Sequence, residues 1–260
     1  MQDRPRTHFL PEYLANPVHP ISVDLVGCGG NGSIMLSCLA SMNSALRALG
    51  HMGLSVTAYD ADEVSEANLG RQLFSTADLG CNKADVLVTR FNRIFGTSWT
   101  SVPEKYKFNK QTNIIISCTD NTASRKYIGK LFGAEESKNG GYGQDAEHRN
   151  YYWLDLGNTQ SSGQAVLGSK TILQPSSARF ESVSTLPAIT TLHKLSSKND
   201  RDSGPSCSLA EALEKQDLFI NRAVATEAAD LLWKLLRNGH TEVHGFYKNM
   251  NDLRTVPIPV

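Results

Sequence analysis

The chain has 260 residues, 40% apolar and 20% charged, enough to bury one sizeable core. Lys+Arg and Asp+Glu each number 26, and the resulting zero net charge argues against nucleic-acid binding and against a basic membrane-binding surface. No apolar run reaches the length of a membrane span, no secretory leader is visible, and five scattered cysteines without a C-x-x-C pair give no zinc framework and fit a reducing cytoplasm.

Residues 1–20 are polar and broken by Pro5, Pro11, Pro17 and Pro20, so they read as an arm that packs on a partner subunit. The apolar run Ile21 to Gly27 predicts a strand, and Asn31 to Leu49 the helix after it, ending near Gly50. Leu54 to Asp60 alternates as a second strand, and 61–81 is polar loop with short helical turns. Asn82 caps a helix reaching Gly96, with Leu87, Phe91, Ile94 and Phe95 at helical spacing. Asn113 to Cys118 is the all-apolar strand that the centre of a parallel sheet requires. Asp120 or Asn121 caps a helix to about Phe132, and 133–150 is an exposed, glycine-rich loop. Tyr151 to Leu156 is a further strand, while 162–167 and 170–173 look like an antiparallel pair. Residues 195–206 are linker-like, a long helix spans 216–237 up to Asn238-Gly239, and a tail hairpin turns at Asn251-Asp252 before Pro257 and Pro259 end it. Strands alternating with helices over the first 160 residues predict an α/β fold: a Rossmann-like, doubly wound, mostly parallel sheet with antiparallel C-terminal strands.

Between the first strand and helix lies G-x-G-x-x-G at Gly27, Gly29 and Gly32, with an extra glycine at Gly30. A tight turn into a helix N-terminus converges backbone N–H groups and favours an anion, so nucleotide phosphate is the expected guest. Gly27, Asp60 and Asp120 fall just beyond three predicted strand ends, where ligands of such sheets sit. Asp60 has two readings, a ribose-binding acid or a plain turn residue. The loop before it favours the first, although the spacing exceeds the usual ~20 residues.

Four further blocks follow in order. They are Asp60-x-Asp62-x-Val64, Asn68-Leu69-x-Arg71-Gln72, Asp78-Leu79-Gly80-x-x-Lys83-Ala84, and Cys118-Thr119-Asp120-Asn121 leading to Arg125. With the glycine loop they resemble the ThiF/MoeB/HesA family, enzymes that activate ubiquitin-like proteins. The blocks from Pro205 to Leu213 and Gln216 to Asn221, with the Pro257-Ile-Pro tail, are most similar to ThiF-type proteins of the PRTRC gene systems. The resemblance implies a single adenylation domain over residues 1–260, with a crossover linker at 195–207. It also implies a homodimer in the cytoplasm that uses ATP and Mg²⁺ to adenylate the C-terminal carboxylate of a small β-grasp protein.

Under that implication Gly27, Gly29, Gly30, Gly32, Asp60, Asp62 and Asn68 hold the nucleotide, Gly30 clearing room for phosphate and the incoming tail. Arg71 and Lys83 neutralise phosphate charge, and Asp120 holds Mg²⁺. Each also has a plainer reading: Arg71 paired with Asp62 or Glu66, Lys83 solvated, Asp120 a helix cap that pairs with Arg125. Cys207, just before a helix, is either the nucleophile of a thioester or a small buried residue. Arg4 and Arg6 stand at about the distance where many relatives carry R-Y-x-R-Q, whose arginine reaches the other subunit's ATP, but that motif is absent here, and the plainer reading of both is a disordered tail. Two other function classes compete. An NAD(P)-dependent oxidoreductase accounts for the glycine loop and Asp60 but leaves Asn68, Arg71, Lys83 and Asp120 without work. A non-catalytic nucleotide-binding scaffold uses the pocket without turnover.

Overall fold

The computed structural model describes residues 4–133, 149–193 and 209–260. Its strands are β1 (Arg6–Phe9), β2 (Ile21–Val26), β3 (Leu54–Tyr59), β4 (Thr100–Val102), β5 (Ile114–Ser117), β6 (Tyr152–Asn158), β7 (Ser162–Ser169), β8 (Glu181–Ser182), β9 (His240–Thr241), β10 (Val243–Asn249) and β11 (Arg254–Pro259). Its α-helices are α1 (Glu12–Ala15), α2 (Gly30–Ala48), α3 (Lys83–Phe95), α4 (Thr122–Gly133), α5 (Ile189–Leu192), α6 (Leu209–Lys215) and α7 (Ile220–Asn238). None of the described helices is long and apolar enough to cross a membrane.

The main sheet runs β11-β10-β7-β6-β5-β2-β3-β4. Its β6-β5-β2-β3-β4 part is parallel, and β7, β10 and β11 add antiparallel strands. The chain leaves β2 toward β3 and β4, then returns to β5 on the other side of β2. The reversal of strand order therefore falls between β2 and β5, the position at whose carboxyl ends such sheets bind ligands. Ile114, Ile115 and Ile116 of β5 are fully buried, as a strand covered on both faces demands. One face packs Val23, Leu25 and Ile116 under α2 and α7, and the other packs Val26, Ile115 and Trp153 under α4 and α5.

Local chemistry sets the helix ends. The Asn82 side chain accepts from the Asp85 N–H at the start of α3, and Gly96 closes that helix at φ +66°. Asn121, not Asp120, caps α4, accepting from the Ser124 N–H at 2.8 Å. Gly239 ends α7 at φ +72°.

Four expectations change. Residues 6–15 are not a free arm: β1 pairs with β8 and β9 in a small second sheet, and His8, Leu10 and Leu14 are buried in their own chain. The prolines hid a short apolar pattern. The pair expected from 162–167 and 170–173 does not form; β7 instead runs to Ser169 and pairs with β6. The expected 216–237 helix is α7, which starts later, at Ile220; a separate short helix, α6, precedes it, and between the two the Asp217 N–H is taken by the Gln160 carbonyl at 2.9 Å. Pro257 does not end the hairpin; it sits within β11, the outermost strand, which prolines tolerate, and the strand ends at Pro259.

Candidate functional site

The glycine loop bridges β2 and α2 at the carboxyl end of β2. Gly27 has φ +92°, a left-handed conformation, and a side chain there would meet the Cys118 carbonyl oxygen at 2.9 Å. A Cβ on Gly32 would lie 1.8 Å from the Gly27 carbonyl oxygen, so helix and turn touch backbone to backbone. Gly29 is different: its nearest neighbour would be Gln72 Oε1 at 3.9 Å, an ordinary contact distance, so a Cβ there meets no clash. Gly30 does not clear the expected room. The carboxamide of Asn221, on α7, occupies the place its Cβ would take, at 2.6 Å.

Asp60 lies directly behind the turn. Its two carboxylate oxygens accept from the Cys28 N–H at 2.6 Å and the Asp62 N–H at 2.9 Å. Burial pushes the Asp60 carboxyl up, and these two bonds with the nearby Lys83 charge pull it back. Lys83 is buried, and its ammonium meets exposed Asp62 at 3.2 Å. Its charge acts on Cys28 as well as on Asp60, so it stands beside the loop. The Asn82 amide donates to the carbonyls of Asp60 and Asp62, tying the start of α3 to the end of β3.

Asn68 is buried and closes a 3₁₀ turn, Glu66–Asn68, with its side-chain oxygen on the Ser65 N–H. That use leaves its amide hydrogens as what it can offer a ligand. Arg71 is 8% exposed. Neither Asp62 nor Glu66 pairs with it; among the described residues its guanidinium donates from Nη1 to Gln216 Oε1 at 2.8 Å, while buried Nε finds no acceptor. Burial alone pulls this group's pKa down. A buried cation answered by one neutral oxygen is under-compensated, a situation an arriving anion would relieve.

Asp120 is exposed, two residues past the Cys118 carbonyl that touches Gly27. Its neighbour Thr119 hangs from Arg125, which donates to the Thr119 carbonyl at 2.9 Å and the Leu156 carbonyl at 2.8 Å. Arg125 pairs not with Asp120 but with fully buried Asp155 at 3.1 Å. Ser117 donates to the same Asp155 oxygen at 2.5 Å and accepts from the Trp153 indole at 2.7 Å. Burial pushes the Asp155 carboxyl up, and Arg125 and Ser117 oppose that. No cluster of three or more His, Cys, Asp or Glu able to hold a metal occurs among the described residues. Asp120 alone suits an ion that keeps its waters and binds phosphate oxygens as well.

Cys28 and Cys118 are poor nucleophiles, because burial pushes both thiols up. Cys207 and the 195–207 linker lie outside the described residues. Asn31 in the first turn of α2 donates to Asn158 at 2.8 Å. Its own oxygen is buried without a partner among the described residues, as are Gln72 Oε1 and Thr119 Oγ1. Sequence reasoning gave no site role to Asn31, Asp155, Gln216 or Asn221. The available signal was polarity out of place, such as Asp155 inside an otherwise apolar strand.

The ThiF family model matches residues 16–256. No curated protein matches the chain. Among solved structures, MccB of E. coli with ATP has a TM-score of 0.59 at 14% identity, covering 95% of this chain and 65% of that one. MccB with AMPCPP and MccA gives 0.57 at 15% identity, with 95% and 65% covered. PaaA gives 0.55 at 15% identity, with 92% and 64% covered. The chain thus spans slightly under two thirds of those proteins' length, and at such identities the likeness is one of fold.

Proposed function

This chain belongs to the ThiF family, and on that premise we propose that it adenylates the C-terminal carboxylate of a small ubiquitin-like β-grasp protein with ATP. The observation that carries the reading is the buried, under-compensated Arg71, linked through Gln216 and Asn221 to the glycine turn. A dinucleotide's pyrophosphate would meet that cation too, so it is the ThiF family match that favours ATP over an oxidoreductase's cofactor. MccB, the neighbour solved with ATP and with MccA, lends the same reading support by analogy.

In this reading a carboxylate oxygen attacks the α-phosphorus, the bond to the bridging oxygen breaks, and pyrophosphate leaves. The attacking group is already ionised, so no general base is needed, and catalysis is positioning plus charge neutralisation. Gly27, Gly29, Gly30 and Gly32 shape the turn, its N–H groups facing phosphate. Asp60 braces the turn and keeps lone pairs for ribose hydroxyls, with Asp62 beside it holding Lys83. Asn68 donates to phosphate, and Arg71 and Lys83 neutralise it. Asp120 would hold Mg²⁺, which supplies charge neutralisation on the phosphates when bound. Cys207 attacking the acyl-adenylate as thiolate, with AMP leaving and a thioester formed, a homodimeric state, and a PRTRC-type context belong to the same proposal.

The test is ATP–pyrophosphate exchange stimulated by a candidate β-grasp protein. Exchange in the unaltered chain that falls at least about 100-fold in Asp120→Ala is the expected result. Binding of NAD(H) without ATP would overturn the reading in favour of an oxidoreductase. ATP binding without exchange would leave a non-catalytic scaffold.

A further inference from the structure

Gln216 sits between α6 and α7, far in sequence from the motifs around Arg71. Its single side-chain oxygen accepts from Arg71 Nη1 at 2.8 Å and from Asn221 Nδ2 at 3.4 Å. Asn221 in turn fills the space against Gly30. One neutral amide therefore links the buried guanidinium to the glycine turn.

The backbone that carries this amide is fixed on both sides. The Asp217 N–H donates to the Gln160 carbonyl at 2.9 Å, and the Gln160 side chain donates to the Glu214 carbonyl at 2.9 Å. The β6–β7 turn holding Gln160 is itself pinned to the β10–β11 turn. Met250 N–H donates to the Ser161 carbonyl at 2.8 Å, and the Asn251 amide donates to the Ser161 hydroxyl at 3.0 Å. The backbone on both sides of Gln216 is thus tied to two turns of the sheet.

The choice of residue type matters. A carboxylate at this position would form a charge-assisted fork with Arg71 and satisfy it. An amide orients the guanidinium through one hydrogen bond and leaves its charge uncancelled, with Nε still unfilled. We propose that Gln216 is a positioning residue that holds Arg71 aimed beside the glycine turn while reserving its charge for the phosphates of an incoming nucleotide. This rests on the ATP reading above and adds the device that prepares Arg71 for it.

The test compares Gln216→Glu and Gln216→Ala with the unaltered chain by calorimetric titration with ATP and with adenosine, alongside melting temperature. Gln216→Glu is expected to bind ATP about tenfold or more weakly, because the introduced carboxylate neutralises Arg71, while its melting temperature is not lowered. Gln216→Ala is expected to lose about two- to fivefold through lost orientation. Adenosine, which carries no phosphate, should bind all three alike. ATP affinity unchanged in Gln216→Glu, or ATP and adenosine weakened equally, overturns the assignment and leaves the ATP reading standing. An unaltered chain that binds no ATP overturns both.

Discussion

The four glycines of the turn share one motif but answer to different constraints. Gly32 is forced by the fold: a Cβ would sit 1.8 Å from a backbone oxygen, and backbone cannot step aside as a side chain can. Gly29 meets nothing closer than 3.9 Å, so the protein's own packing does not require it. Gly32→Ala is therefore expected to destabilise the chain by about 2–4 kcal/mol in urea unfolding. Gly29→Ala should leave the unfolding midpoint within about 0.5 kcal/mol of the parent yet weaken ATP binding at least about tenfold, because the methyl takes phosphate space. A Gly29→Ala protein with normal ATP affinity would remove the phosphate from that turn. The sequence could show the motif, but it could not separate a glycine that packs from a glycine that admits a ligand. That difference depends on Cys118, Gln72 and Asn221, which come from other segments.

At the level of elements, β2, β3, β5, α2 and α3 were legible because each obeys its own period and carries its own end signals. What escaped was decided by distant partners. The start of α7 at Ile220, not at Gln216, goes with the Gln160 carbonyl capturing the Asp217 N–H, and no local propensity announces it. The start of α3 shows the reverse case, a local signal with a second use. Asn82 caps the helix with its oxygen and, with its amide, holds the Asp60 carbonyl at 2.9 Å and the Asp62 carbonyl at 3.2 Å. Asn82→Ala should cost about 1–2 kcal/mol, at the upper end for a cap because three bonds go at once. Since Lys83 is the next residue, ATP affinity should fall in the same variant. Asn82→Asp keeps the capping acceptor but loses the donor, so it should recover most of the stability and less of the affinity. Equal recovery of both would mean that the tie to β3 has no part in placing Lys83.

For the molecule as a whole, the small second sheet closes the structure by joining parts far apart in sequence. Strand β1 lies between β8 and β9, and His8 at its centre is fully buried, with Nδ1 2.7 Å from the Val183 carbonyl and Nε2 2.9 Å from the Tyr152 hydroxyl. Burial and the nearby His244 push its pKa below the ordinary 6.5, and the Val183 carbonyl opposes them. His244, also buried, is shifted the same way. A histidine held neutral in the folded state contributes stability that is fully present above its unfolded pKa of about 6.5. That stability is lost as pH falls toward the folded value, because the unfolded chain takes the proton first. Asp24, raised to about 6 by burial, works in the opposite sense between its unfolded value and about 6, so the raw pH profile mixes the two. The difference between the parent and His8→Gln isolates the histidine. Urea unfolding across roughly pH 5 to 7.5 should show the parent losing stability faster below about pH 6.5, by up to about 1.4 kcal/mol per pH unit for that one proton. Parallel profiles would mean that His8 is charged or exposed in solution and that β1 does not close the fold as a buried strand. Arg6, on the same strand, makes among the described residues an exposed ion pair with Glu181 at 3.5 Å, so Arg6→Ala should shift stability by no more than about 0.5 kcal/mol at any of these pH values.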